Sequence, residues 1–343
     1  VRIERKELQA ALSAIRPAIA TKDPLTQLLC VWFSGERVFA YNGTIGIDVP
    51  LKSDFKGGVA GAPLVGLVGS SVAKQAELSV ETAKGKNDLL LKMGTSKSRL
   101  PSQDFEQAVW SFPKLPKEGI EIDEVFLTAL SRVLIAATDE YGVSLICEDD
   151  KLTLYATNNR SLAWHTVKNP GFPKTRLEIS PIFCEQLLAL CSDGGKLYIA
   201  KDSVLATSND GARLFSRLTG GEPLDYDVAL QTSLPKGYSK MATEIPDKLM
   251  MAYDRALVMT TGEFAVVEHT VEEEVLRLNL KSQLGSLDEK IPMKGTSYQV
   301  AVSLDIALVR KGLATTDRIV FTEDGVVLLW GKQGGYIVAA LAN

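Results

Sequence analysis

Cysteine and histidine are scarce in this chain of 343 residues, with four of the first and two of the second. Cys30, Cys147, Cys184 and Cys191 each fall inside an apolar strand or helix pattern and share no metal-ligand spacing. They read as reduced core residues of a cytosolic protein. His165 and His269 each lie within a strand-like run, so a structural role is expected of both. No apolar run approaches the roughly 20 residues that a membrane span needs, which excludes a helical membrane protein. The opening VRIERKELQAAL carries charges where a signal peptide has its apolar region. A glycine-rich phosphate loop, a nucleophile elbow and a Cys–His constellation are all missing, and Gly57-Gly58 and Gly334-Gly335 lack the flanking pattern. The acidic runs Glu148-Asp149-Asp150 and Glu272-Glu273-Glu274 fall at hairpin tips, where turn solvation explains them better than a metal site, which needs ligands from several elements. The expectation is a non-catalytic protein with no cofactor and no metal; the rival, a metal-dependent nuclease, would declare itself by activity on DNA.

What is present is a soluble core composition, 45% apolar and 23% charged, enough for two or three domains. A net charge of −4 argues against coating nucleic acid with the whole surface and leaves room for one basic face. The stretch 137–165 holds a strand (Val143–Cys147), an acidic turn, a second strand (Leu152–Ala156) and a polar loop, Thr157-Asn158-Asn159-Arg160-Ser161. Weakened copies occur at Cys30–Asp48 and Ala265–Gly285, roughly 115–125 residues apart, which points to three related domains.

Each copy has the same surroundings. In the first, a strand over Val1–Glu4 precedes a helix over Lys6–Arg16 with Leu8, Ala11, Leu12 and Ile15 on one face, and a second helix is expected over Ala62–Lys74. A hairpin over Leu78–Thr82 and Leu89–Met93 follows, and Phe112–Lys117 is expected as a proline-rich linker. The second copy has a strand over Ile120–Ile122, helices over Glu124–Thr138 and from Pro181, and a hairpin over Lys196–Ala200 and Val204–Ser208. The third has a strand over Met241–Ile245, a helix from Pro246, a helix capped by Ser303 and running through Leu313, and strands over Arg318–Thr322, Val326–Trp330 and Tyr336–Leu341. The fold class is α+β, three tandem repeats of a two-helix plus β-sheet domain, bounded at 1–117, 118–236 and 237–343. Repeats related by rotation close into a ring or run on as a filament.

In order and spacing these elements resemble the bacterial DNA polymerase III beta subunit, the sliding clamp. Thr157-Asn158-Asn159-Arg160-Ser161-Leu162-Ala163 stands where that family has Thr-Asp-Gly-His-Arg-Leu-Ala. Pro223-Leu224-Asp225-Tyr226 is similar to its Phe-Pro-Asp-Tyr, and Tyr336-Ile337-Val338-Ala339-Ala340-Leu341 to its Tyr-Val-Val-Met-Pro-Met. The resemblance implies the DNA clamp fold and a ring-forming, head-to-tail homodimer with twelve helices around a central hole. Duplex DNA would pass through that hole without sequence preference, and a DNA polymerase would be held near its template by enclosure. It also implies a clamp loader, other partners carrying a clamp-binding motif, no membrane, and a cytoplasmic, nucleoid-associated location in a bacterial cell.

Three sites follow from the resemblance. Arg5, Lys6, Arg16, Lys22, Lys74, Arg132, Lys248, Arg255, Arg310 and Lys311, on or beside the hole-facing helices, are the DNA-contacting candidates, together with Tyr141. A partner-peptide pocket between the second and third domains would be lined by Thr157, Asn159, Arg160, Leu162, Leu224, Val228, Ala229, Leu304, Ile337, Ala339, Ala340 and Leu341. Here Asn159-Arg160-Ser161 replaces Gly-His-Arg and Ala339-Ala340 replaces Met-Pro, so a different and bulkier partner motif is expected. The subunit junction would use Thr95 and Lys97 on one side and Leu257 and Val258 on the other. The strand Thr95-Ser96-Lys97-Ser98 is more polar than the family's, which keeps alive the alternative of a monomeric clamp-like peptide-binding protein that never encircles DNA. These departures suit a phage- or plasmid-encoded clamp, whose location would be the host cytoplasm.

Overall fold

The computed structural model describes residues 2–83, 86–218, 225, 228, 230, 231, 234, 237–260, 265–296 and 298–339. The chain divides into two compact units, Val1–Leu127 with Ile182–Gly220, and Thr128–Pro181 with Gly221–Asn343. Six helices longer than one turn occur among the described residues: α1 (Arg5–Ile15), α2 (Gly61–Ser70), α3 (Glu124–Leu134), α4 (Pro181–Leu190), α5 (Leu249–Val258) and α6 (Ile306–Leu313).

The first unit is built on a twelve-stranded antiparallel sheet. Its order is Arg2–Glu4, Gln75–Ala83, Lys86–Met93, Ser96–Gln103, Gly57–Ala60, Cys30–Phe33, Arg37–Tyr41, Ile45–Pro50, Arg213–Arg217, Ser203–Ser208, Gly195–Ile199, Ile120–Ile122. Alternating apolar residues bury one face under α1 and α2, which pack on each other; Leu8, Ala11, Leu12 and Ile15 are the buried stripe of α1. The sheet is continuous because Ile45–Asp48 pairs with Arg213–Ser216. Three elements tighten that seam. Asp48, 3% exposed, accepts hydrogen bonds from Arg37 and from Arg213, whose Nη2 lies 2.6 Å away. Arg37 Nη2 also donates to the Gly211 carbonyl at 2.6 Å. The segment expected as a linker is a strap on the opposite face of the sheet: Trp110, Phe112 and Leu115 pack on Tyr198, Leu205 and Phe215. Trp110 stacks on Tyr41 at 5.1 Å, and its ring occupies the place a side chain at Gly46 would take. The apolar side chains at 110, 112 and 115 bury more favourably than a solvated linker would.

The second unit holds two antiparallel sheets. One has eight strands in the order Thr175–Ile179, Val143–Cys147, Lys151–Thr157, Ser161–Lys168, Gly334–Ala339, Val326–Trp330, Arg318–Phe321, Thr243–Glu244. The other has four, Gly285–Pro292, Val275–Ser282, Val266–Glu272, Val300–Asp305. Helices α5 and α6 pack on each other. Three expectations need correction. Helix α3 ends at Leu134 rather than Thr138, closing on turns in which Ala136 and Ala137 donate to Val133 and Leu134. Over Met241–Ile245 the strand is only Thr243–Glu244, preceded by a single helical turn, Tyr238–Met241. Ser303 is not a cap: it lies inside the strand Val300–Asp305, opposite Glu268, and the cap of α6 is Asp305, whose Oδ1 accepts from the Ala307 N–H at 3.1 Å.

All four cysteines are buried as free thiols, and burial raises their pKa, to about 12 for Cys147 and Cys191. His269 is fully buried, bonded to Tyr253 Oη and to the Val267 carbonyl, each at 2.9 Å; burial lowers its pKa to about 4. His165 is lowered to about 4 by burial and by Arg132, against a hydrogen bond from its ring to Gln333 that raises it. Both rings serve packing and are neutral near pH 7.

Candidate nucleic-acid interface and partner-binding face

Cations on the helices divide into bonded and open groups. In the first unit, Arg5 opens α1 and is spent locally: its Nε donates to the Ala73 carbonyl at 2.9 Å and its Nη1 to Gln9 at 2.6 Å. Lys6, Arg16, Lys22 and Lys74 are exposed and make no ion pair among the described residues. Arg16 borders a cleft of about 610 Å³ at the adjoining ends of α1 and α2, lined also by Ile19, Thr21, Leu29, Ala62 and Pro63. The exposed face of α2 carries no charge at all; Ala62, Pro63, Gly66, Gly69 and Ser70 form it.

In the second unit, Arg132 is half-buried near the end of α3. Lys248, at the start of α5, and Lys311, on α6, are exposed and unpaired among the described residues. The two arginines beside them are neutralised. Arg255 makes a bidentate pair with Glu289, both contacts 2.6 Å, which holds the Glu289 carboxyl below its ordinary range. Arg310 pairs with Asp254, joining α6 to α5. Acidic partners 34 and 56 residues away were not readable from helix faces.

The expected partner pocket is divided by the structure. Leu162 and Ile337 lie directly opposite each other in neighbouring strands. They belong to an apolar cluster with Ile146, Tyr155, Val320 and Leu328, bordered by half-buried Trp164, Leu234, Tyr238, Val326 and Trp330. Ala339 is exposed at the end of its strand, at the same edge. Leu304 is not with them: it is fully buried in the four-stranded sheet, opposite Val267. Val228 is exposed. Leu224, Ala229, Ala340 and Leu341 lie outside the described residues.

The polar candidates form one tight loop. Asn158 Oδ1 accepts from the Arg160 and Ser161 N–H groups at 3.1 and 2.7 Å, an Asx turn. Thr157 Oγ1 donates to the Ser161 carbonyl at 2.8 Å. Asn159 has φ 65°, and its Nδ2 donates to Tyr141 Oη at 3.1 Å. Arg160 pairs with Asp305, the carboxylate that caps α6, and its carbonyl accepts from Ala339 N–H at 2.9 Å. The first unit contains the same loop: Asn42 Oδ1 accepts from Thr44 and Ile45 N–H at 3.0 and 2.9 Å, with Gly43 at φ 94°.

At the expected subunit junction, Thr95 is an exposed turn residue and Lys97 an exposed strand residue opposite Lys92. Over Ser96–Pro101 no strand among the described residues pairs with the far side of this strand. In the second unit, Gly285–Pro292 is a sheet edge. Leu257 is half-buried, and Val258, the last residue of α5, is 78% exposed. Sequence reasoning missed Val72, 98% exposed just beyond α2, and Leu284 in the turn before Gly285–Pro292, 62% exposed. For Val72, an apolar residue two positions past the end of α2 was the available signal.

No family model matches the chain, and no curated protein matches it in sequence. Solved structures do match it in fold. The DNA polymerase III beta subunit of Thermotoga maritima superposes with a TM-score of 0.84 at 16% identity, over 100% of this chain and 99% of that one. The DNA polymerase sliding clamp of Bacillus subtilis gives 0.83 at 16% identity, over 100% and 98%. The DNA polymerase III beta subunit of Pseudomonas aeruginosa gives 0.82 at 14%, over 100% and 99%. The chain has the DNA clamp fold of these beta subunits from end to end.

Proposed function

We propose that this protein is a DNA sliding clamp, a non-catalytic processivity factor. In this reading two chains, each of three clamp domains (1–117, 118–236 and 237–343), close head to tail around duplex DNA. The ring tethers a DNA polymerase and other partners through the apolar face at Leu162 and Ile337, and a clamp loader opens it. Its place is the bacterial cytoplasm, on the nucleoid. The observation that carries the reading is the full-length match in fold to beta-subunit clamps, which leaves no part of the chain unaccounted for. Local features agree with it. Solvated lysines on α1, α5 and α6 suit weak, sequence-independent phosphate contacts, which is what sliding demands. Val72 and Val258, the two most exposed large apolar side chains described, belong to the first and third repeats, as a head-to-tail junction requires.

Light scattering across a dilution series tests the reading. The expected result is a species of twice 37.2 kDa that persists on dilution and is reduced to monomer by Val258→Asp. Loaded protein should stay on nicked circular duplex and run off the same DNA once it is linearised. The polar, like-charged Lys92–Lys97 strand pair favours the second reading, a monomer that binds partner peptides. A 37 kDa mass at every concentration, with no difference between circular and linear DNA, would establish that second reading over the first.

A further inference from the structure

The two Asx-turn loops provide an internal comparison. Each begins the strand that continues its sheet into the next repeat, Ile45–Pro50 in one unit and Ser161–Lys168 in the other. Their backbone bonds are the same in kind, and both need a left-handed residue at the third position. The first loop fills that position with Gly43, whose absent side chain would meet nothing within 4 Å. The second fills it with Asn159, a residue that tolerates this backbone less readily than glycine does. What the substitution adds is one bond, from Asn159 Nδ2 to Tyr141 Oη at 3.1 Å.

That bond joins two separate segments of the unit. Tyr141 stands in a turn closed by the Thr138 N–H on its own carbonyl at 3.0 Å, immediately before the strand Val143–Cys147. Val143 pairs with Ala156, so this turn and the loop 157–161 share one end of the eight-stranded sheet. Leu162, Ile337 and the exposed Ala339 are at the same end. The other polar side chains of the loop are also committed: Thr157 to the Ser161 carbonyl and Arg160 to Asp305.

We propose that Asn159 and Tyr141 form a latch that closes this end of the partner-binding face and sets the length of peptide it accepts. The inference rests on the clamp reading for the existence of a partner peptide. Asn159 is a specificity-determining residue in it. A peptide seated over Leu162 and Ile337 ends at the latch, and a longer one must break the bond to pass between the loop and Tyr141. With the loop's polar groups already bonded, the seated part is recognised by apolar contact.

The test uses display libraries of random hexapeptides and decapeptides, panned on the full-length protein, on Asn159→Gly and on Tyr141→Phe. Both variants are expected to fold, since glycine is the native residue of the first loop and phenylalanine retains the ring. Only peptides lost on an Ala339→Arg variant are counted, which restricts the readout to this face. The latch predicts that wild type selects motifs that stop at one end of the face and are shorter than those the two variants select. Both variants should gain decapeptides with selected positions at one extended end, bound about tenfold more tightly than by wild type. Identical selections on all three proteins would overturn the latch and leave the clamp reading standing. Failure of any protein to select a peptide sensitive to Ala339→Arg would overturn the partner-face reading and the latch with it.

Discussion

If DNA runs past α5 and α6, charge on these helices should act unequally, because two of the four cations on them are already paired. Arg310 and Lys311 are neighbours on α6, yet Arg310 is bound to Asp254 and Lys311 to nothing among the described residues. A phosphate contact releases condensed counterion and contributes a slope of about 0.9 in log affinity against log salt. Over a fourfold change in salt, one contact is therefore worth about 3.5-fold in affinity. Lys311→Ala should lower affinity for a short linear duplex about threefold at low salt and flatten the salt slope by about 0.9 per chain. The double change Arg310→Ala with Asp254→Ala should do much less, since it removes a pair of charges that already cancel, whereas Arg310→Ala alone also uncovers the Asp254 carboxylate. Asp254→Asn should act in the opposite sense, releasing Arg310, raising affinity about threefold and steepening the slope.

The assay is fluorescence anisotropy of a labelled blunt duplex between 50 and 200 mM salt. A short linear duplex is essential. On closed circles retention reflects enclosure and would hide changes in direct contact. A loss for the Arg310→Ala, Asp254→Ala double variant equal to that for Lys311→Ala, with Asp254→Asn silent, would mean that the ion pair opens freely in solution, and no effect of any of these changes would mean that this helix face does not meet DNA. A steepened slope for Asp254→Asn accompanied by no effect of Lys311→Ala would place DNA against Arg310 alone.

Two further predictions concern stability. Asp48→Ala leaves two mostly buried guanidiniums without their carboxylate and should cost about 3 kcal/mol, whereas adding Arg213→Ala should cost less than the sum of the two single changes; urea titrations followed by tryptophan fluorescence, which includes Trp110 on the adjoining strap, would check both. His269 is held neutral by burial, with a pKa near 4 against an ordinary value of 6.5. The unfolded chain therefore binds a proton that the folded chain refuses between those values, so stability should fall as pH drops from about 6.5 to 4, by on the order of 3 kcal/mol for this group. His269→Gln should flatten that limb in acid-dependent urea midpoints, and an unchanged limb would assign it to other groups.

The hairpins and α1 were legible because their signals are local. Alternating apolar residues and the short turns at 148–150 and 323–325 mark hairpins wherever they occur, and the stripe Leu8, Ala11, Leu12 and Ile15 marks α1. Misreadings arose where distant residues decide. Ser303 looks like a cap until the pairing with Glu268 extends the strand two residues further, to Asp305. Pro113 and Pro116 suggested a free linker, but Trp110 finds its seat over Gly46, 64 positions earlier in the chain. Leu304 followed the expected motif order, and its burial against Val267 came from a sheet whose partners are far apart in sequence. The cationic candidates were visible as residue types; which of them are already paired was not.

The two junction loops show where this chain has kept the fold and where it has been free to change. Both keep an asparagine that accepts two backbone N–H groups, because without it the turn would leave those donors unsatisfied. Around that common turn the solutions differ. The first seam is locked by a buried carboxylate between two arginines and roofed by an aromatic strap. The second shares one carboxylate between Arg160 and the cap of α6, and its apolar face keeps a half-exposed rim of Trp164, Tyr238 and Trp330. A seam that only has to hold gains from full burial. If the second seam also receives a partner, as proposed, it has to leave apolar area uncovered, and the bonds of Arg160 and Asn159 then hold the loop beside it. On this argument the residues of the 157–161 loop depart from the expected clamp pattern without loosening the loop, because each polar side chain there has a partner inside the protein.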